Sequence, residues 1–120
     1  MEIKDIMIGD FLSNTNGNIG KVVGLLPTHE VVMQYHSNST SFTDPKLLLP
    51  IKITGDILMS NGWFTKDGAI WVKKGPVRLG WYEKKKELII GYHTMPIIVE
   101  FVHTLQHIIR LLGLEEDIVL

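Results

Sequence analysis

Apolar residues recur at helical spacing in one long stretch of this chain. Over residues 101–113 (F-V-H-T-L-Q-H-I-I-R-L-L-G), Phe101, Val102, Leu105, Ile108, Ile109 and Leu112 share one arc at about 100° per residue. Glu100, His103, Thr104, Gln106, His107 and Arg110 fill the other arc. The pattern predicts an amphipathic helix packed on a sheet, with its polar face open to water or a partner. Gly113 suits the C′ position, where a left-handed backbone costs glycine little. Arg110 in the last turn suits the negative end of the helix dipole.

Elsewhere the pattern is that of short strands between turns. Residues 6–12, 19–26 and 31–35 predict three strands, with Asn14-Thr15-Asn16-Gly17-Asn18 as a tight turn and Gly9-Asp10 as a bulge or bend. Such strands predict a small curled sheet or an SH3-like barrel. Residues 37–41 (S-N-S-T-S) read as a mobile polar loop, and 46–53 as extended chain with Pro50 at an edge or junction. The boundary falls near here, giving an N-terminal β unit over 1–48 and an α+β unit over 49–120, with one continuous compact domain as the alternative. Thr54 is the expected N-cap of a short helix that Asn61-Gly62 stops, after which Trp63 and Phe64 enter the core. Strands follow at 69–74, 77–83, 87–92 and 97–100, with short connections that imply antiparallel neighbours. Residues 114–120 form a last short strand or fray. The fold class is α+β, a small sheet or barrel followed by an antiparallel sheet covered by the C-terminal helix.

Composition narrows the function classes. The 120 residues are 45% apolar and carry a net charge of −1, so the overall field favours neither nucleic acid nor membrane. No cysteine is present, which excludes disulfides and thiol chemistry and fits a reducing cytoplasm. The N-terminus lacks a basic segment leading into an apolar run, and no apolar stretch approaches the roughly 20 residues that span a bilayer. The near-zero charge hides an asymmetry. Residues 52–86 carry eight basic and three acidic side chains, a net +5, against −6 in the remainder. Lys73, Lys74, Arg78, Lys84, Lys85 and Lys86, with Trp63, Trp71, Trp81 and Tyr82 interleaved, form a candidate nucleic-acid surface over residues 66–86. Strand alternation explains the same residues without a ligand, tryptophans inward and lysines outward, and is the favoured reading.

Two segments resemble a family of small uncharacterised proteins from gut anaerobic bacteria and their mobile elements or phages. One is Pro50-Ile51-x-Ile53-Thr54-x-x-Ile57-Leu58-x-x-x-Gly62-Trp63, where the family has Pro-Ile-x-Leu-Thr, then Leu, then Gly-Phe. The other is Val102-His103-x-Leu105-Gln106, followed by Gly113 and Glu115-Glu116, against the family's Val-His-x-Leu-Gln and Gly-Glu-Glu. Ile8-Gly9-Asp10 and Val22-Val23 also resemble the family's opening. After Gln106 this chain has His107, Ile108, Ile109 and Arg110, where the family usually has aromatics. The resemblance therefore carries over His103 and Gln106 as motif positions, but not His107. It implies an architecture and a genomic setting, and no activity.

The candidate chemistry is sparse. His103 and His107 lie one helical turn apart, a spacing at which two imidazoles can share a metal, with Glu100 as a further ligand. Thr104 stands where a zincin has its glutamate, and neither His29, His36 nor His93 is an obvious third ligand, so no metal is expected. A catalytic reading makes His103 a general base oriented by Glu100 or Asp56, but no nucleophile elbow or phosphate-binding glycine loop accompanies it. His103 is expected to brace the fold, partly buried, and His107 to be the more exposed. The leading expectation is a non-enzymatic binding or accessory module without a cofactor, acting on a protein partner or a second copy of itself. A nucleic-acid-binding module ranks second and a small metal-dependent or hydrolytic enzyme third.

Overall fold

The computed structural model describes residues 1–91 and 97–120, the side chain of Lys66 excepted. Two antiparallel sheets and a C-terminal helix make the fold α+β. Residues 1–51, with Leu120, form one compact unit and residues 52–119 the other.

The first unit is a four-stranded meander in the order β1-β2-β3-β4. Its strands are β1 (Phe11–Ser13), β2 (Ile19–Leu25), β3 (Val31–Tyr35) and β4 (Thr40–Thr43). Among the described residues no pairing returns β4 to β1, so the sheet stays open and no barrel closes. Ile6, Leu12, Val22, Val31, Met33 and Leu48 form its core. The Asn14 side chain accepts from the Asn16 and Asn18 amides and fixes the β1–β2 turn.

Three expectations for this unit need correction. Residues 6–12 are not one strand, because Gly9 takes a positive φ and the buried Asp10 accepts from the Met7 amide, turning the chain ahead of Phe11. The polar stretch 37–41 is not all loop, since Thr40 and Ser41 pair with Gln34 and Met33 in the edge strand β4. An edge strand exposed along its length needs no apolar alternation, so hydrophobic periodicity could not reveal it. Residues 46–53 are not uniformly extended. A 3-10 turn at Pro45–Leu47, capped by the Asp44 side chain, precedes a single bridge from Leu49 to Ser13.

The second unit opens with α1 (Gly55–Ser60), whose N-cap Thr54 accepts from the Ile57 amide as its sequence predicts. A five-stranded meander follows in the order β5-β6-β7-β8-β9. The strands are β5 (Phe64–Lys66), β6 (Ile70–Lys73), β7 (Leu79–Tyr82), β8 (Glu87–Ile90) and β9 (Ile97–Ile98). Trp63 is buried as expected, whereas Phe64 opens β5 and stays partly exposed. The expected strand over 87–92 ends at Ile90 before a positive-φ Gly91, and its residue 92 lies outside the described residues. The unit's buried set draws on the sheet through Val72, Leu79, Trp81 and Leu88, and on the helix α2 (Val102–Leu111) through Val102, Leu105 and Ile109.

Helix α2 ends in a Schellman motif. The Leu114 amide donates to the Ile109 carbonyl and the Gly113 amide to the Arg110 carbonyl, with Gly113 at φ 71°. Its buried face only partly matches the one that hydrophobicity predicts: Val102, Leu105 and Ile109 are buried as expected. His103 and Gln106 are buried, while Phe101, Ile108 and Leu112 are only half-buried. The polar face is therefore not open to water along its whole length. Residues 114–119 form no strand; the side chains of Asn61, Gln106 and Arg110 bond to Asp117, Ile118 and Val119.

Candidate functional site

Two residues of the expected polar face of α2, Gln106 and Arg110, hold the C-terminal tail. The Gln106 side chain, 0% exposed, donates through Nε2 to the Ile118 carbonyl at 3.1 Å and to Asp117 Oδ2 at 3.4 Å. Arg110 donates through Nη2 and Nε to the same Asp117 oxygen at 3.0 and 3.3 Å. From α1, Asn61 completes the bracket. Its Nδ2 donates to the Val119 carbonyl at 3.1 Å and its Oδ1 accepts from the Val119 amide at 2.8 Å, reproducing with one side chain the bonds of a β-bridge.

Gln106→Leu keeps the volume and leaves the Ile118 carbonyl without its donor. It is expected to cost about 1–3 kcal/mol, the penalty of stranding a buried acceptor. Chemical denaturation measures the loss, and amide exchange at Ile118 and Val119 should accelerate. Unchanged exchange there would mean that the tail is held without Gln106.

The histidines form a short aromatic column. Phe101 stacks on His103 with ring centroids 6.0 Å apart, and His107 meets His103 edge-on at 5.6 Å. His103 is 8% exposed and His107 half-buried. Glu100 is exposed, and its backbone carbonyl accepts from the Ile53 amide. Among the described residues no group of three or more His, Asp or Glu side chains is placed to hold a metal ion. His93, weighed above as a ligand, lies outside the described residues.

The six candidate basic residues do not make one surface. Lys73, Lys74 and Arg78 flank the β6–β7 turn, and Lys84, Lys85 and Lys86 occupy the β7–β8 turn at the other end of β7. The Lys74 ammonium lies 5.4 Å from the Phe64 ring centroid and that of Lys86 5.2 Å from the Trp81 ring centroid. Trp63 and Trp81 are buried, and Trp81 donates through its indole N–H to the Val99 carbonyl. The Trp81 ring presents no face on which a base can stack. Arg78, Lys84 and Lys85 are exposed.

The site that the strand and helix patterns did not reveal is a cleft of about 420 Å³ in the second unit. The β6–β7 turn, the end of α1, the end of α2 and the tail line it together. Trp63, Val77, Leu79, Ile109, Leu112 and Ile118 give it an apolar interior, and Asn61, Lys73, Lys74, Glu115, Glu116 and Asp117 give it a polar margin. Lys73 is its best-anchored cation, with Nζ donating to the Asn61 carbonyl at 3.0 Å and paired with Glu116 Oε2 at 2.8 Å. The hydrogen bond and charge of Lys73 hold the Glu116 carboxyl below its usual range. The opposed charges of residues 52–86 and of the acidic tail thus meet partly within this unit. No sequence window contains the cleft, because its walls are brought together over more than fifty residues. The nearest hint was the family-like Gly113 with Glu115-Glu116 beside the basic turn.

Compared with models of known families, with curated proteins and with solved structures, the chain matches none.

Proposed function

We propose that the protein is a non-enzymatic binding module and that the cleft of its second unit is the ligand site. The observation that carries this reading is the cleft itself: an apolar interior of about 420 Å³ rimmed by a few polar groups. Small-molecule sites have this character, at roughly 300–1,000 Å³. Among the described residues the cleft presents two lysines, an asparagine and three carboxylates, but no histidine or hydroxyl nucleophile, which favours recognition over turnover. Action in the biology of a mobile element rests on the sequence resemblance alone, carried by the segments that begin at Pro50 and Val102 and by Ile8-Gly9-Asp10. The nucleic-acid reading has less support, since its lysines divide between two ends of the sheet and two of its tryptophans are buried.

The test is a titration with octanamide, a neutral amphipathic probe, followed by the three tryptophan indole N–H resonances. Binding in the cleft should move the Trp63 indole signal and the amides of Gly113 and Leu114, and leave the Trp81 indole in place. Failure of octanamide and of the carboxylates named below to move Trp63 would overturn the proposal.

A further inference from the structure

The charges around the cleft are unequal in how firmly they are held. Lys73 is built in. It rises from β6, its side chain is 22% exposed, and its ammonium donates to the Asn61 carbonyl at the C-terminal end of α1. Gly62 makes this approach feasible, because a Cβ there would lie 2.8 Å from Lys73 Nζ. Glu116 is the opposite case. Its side chain is 75% exposed, on a tail residue with no anchoring bond besides the one to Lys73 among the described residues. A fixed cation at the mouth of an apolar cleft is thus covered by a carboxylate that can swing into water. Displacing Glu116 loses one exposed ion pair, an interaction that solvent makes weak. An incoming carboxylate regains the pair and adds burial of its apolar portion.

We propose that the cleft takes a small amphipathic monocarboxylate, whose carboxylate replaces that of Glu116 on Lys73 and whose apolar body lies against Trp63, Leu79 and Ile109. This rests on the cleft being the ligand site. Charge complementarity selects the class. Among the described residues lining the cleft, Lys73 alone offers a cation anchored at the mouth, since the Lys74 ammonium sits by the Phe64 ring. Glu115 stands on the same rim, so a dianion would face repulsion that a single lysine cannot offset. Glu116 then acts as an internal competitor, a stand-in for the ligand's own head group.

Octanoate, 1-naphthoate and octanamide titrated into wild type, Glu116→Gln and Lys73→Met, read at the Trp63 indole resonance, test this. At least one carboxylate is expected to bind wild type about tenfold or more tighter than octanamide, as a charge-assisted hydrogen bond in a partly desolvated site implies. The tighter of the two assigns an alkyl or an aryl body, and either result supports the proposal. Glu116→Gln should tighten carboxylate binding by about two- to fivefold and leave octanamide unchanged. Lys73→Met should abolish the preference for carboxylates. Glu116→Gln alters only an exposed side chain, so it remains informative even if Lys73→Met weakens the fold. Octanamide binding as tightly as the carboxylates would overturn the carboxylate inference and leave the cleft reading standing. So would carboxylate affinity unmoved by Glu116→Gln.

Discussion

Trp81→Ala is expected to destabilise the second unit by about 3–5 kcal/mol, the usual cost of removing a fully buried large aromatic side chain. Trp81 is 0% exposed at the centre of the sheet, opposite Trp71 on β6 and Leu88 on β8. Truncation opens a cavity between three strands and removes the indole donor of the Val99 carbonyl, bonded at 3.0 Å. It also removes the ring beneath the Lys86 ammonium. The remaining tryptophans, Trp63 and Trp71, both lie in this unit, so their fluorescence reports its unfolding. Denaturant melts followed at these two residues give the loss. A change below about 1.5 kcal/mol would mean that the sheet collapses around the gap or that this packing is wrong. Trp81→Phe, which keeps most of the volume, should cost less, and the difference reports the size of the gap.

Leu105→Ala should cost about 2–5 kcal/mol, with the spread set by how far Val102, Ile109 and their neighbours relax into the vacated volume. Leu105 is 1% exposed and sits between the buried Val102 and Ile109 along α2. The control lies on the same helix. Leu111 is 86% exposed, so Leu111→Ala should change stability by less than about 0.5 kcal/mol. Measured together, the two substitutions fix the rotation of α2 about its axis. Equal effects would show that the buried stripe runs elsewhere. Alanine also has the higher helix propensity, so neither loss can come from weaker helix formation.

That rotation separates what was legible in the chain from what was not. Val102, Leu105 and Ile109 are named by periodicity alone. His103, expected to be partly buried, is 8% exposed, whereas the burial of Gln106 was not legible, because an amide at helical spacing reads as a solvated position unless its partner is known. The partner of Gln106 is the backbone carbonyl of Ile118, twelve residues away, and nothing in that carbonyl's sequence context marks it as an acceptor. The same holds for Asn61. As a helix stop beside Gly62 it is readable, but its two bonds to Val119 span 58 residues. Strand β4 escaped for a different reason. Its Ser and Thr side chains face water along an edge, so backbone pairing with β3 is the whole of its signal.

By itself, the sequence determined whatever depends on near neighbours: the N-cap at Thr54, the stop at Asn61-Gly62, the Schellman end at Gly113 and most strand and turn positions. Each follows from backbone preferences or from a side chain reaching only a few residues along the chain. The tertiary structure alone decided whether the first sheet closes, which polar residues of α2 are buried, and that the basic turn and acidic tail form one cleft. Those outcomes depend on volume, solvent exclusion and charge proximity between distant segments, and a one-dimensional pattern carries no distances. The Lys73–Glu116 pair at 2.8 Å joins residues 43 positions apart, and only folding turns two unremarkable charges into the mouth of a site.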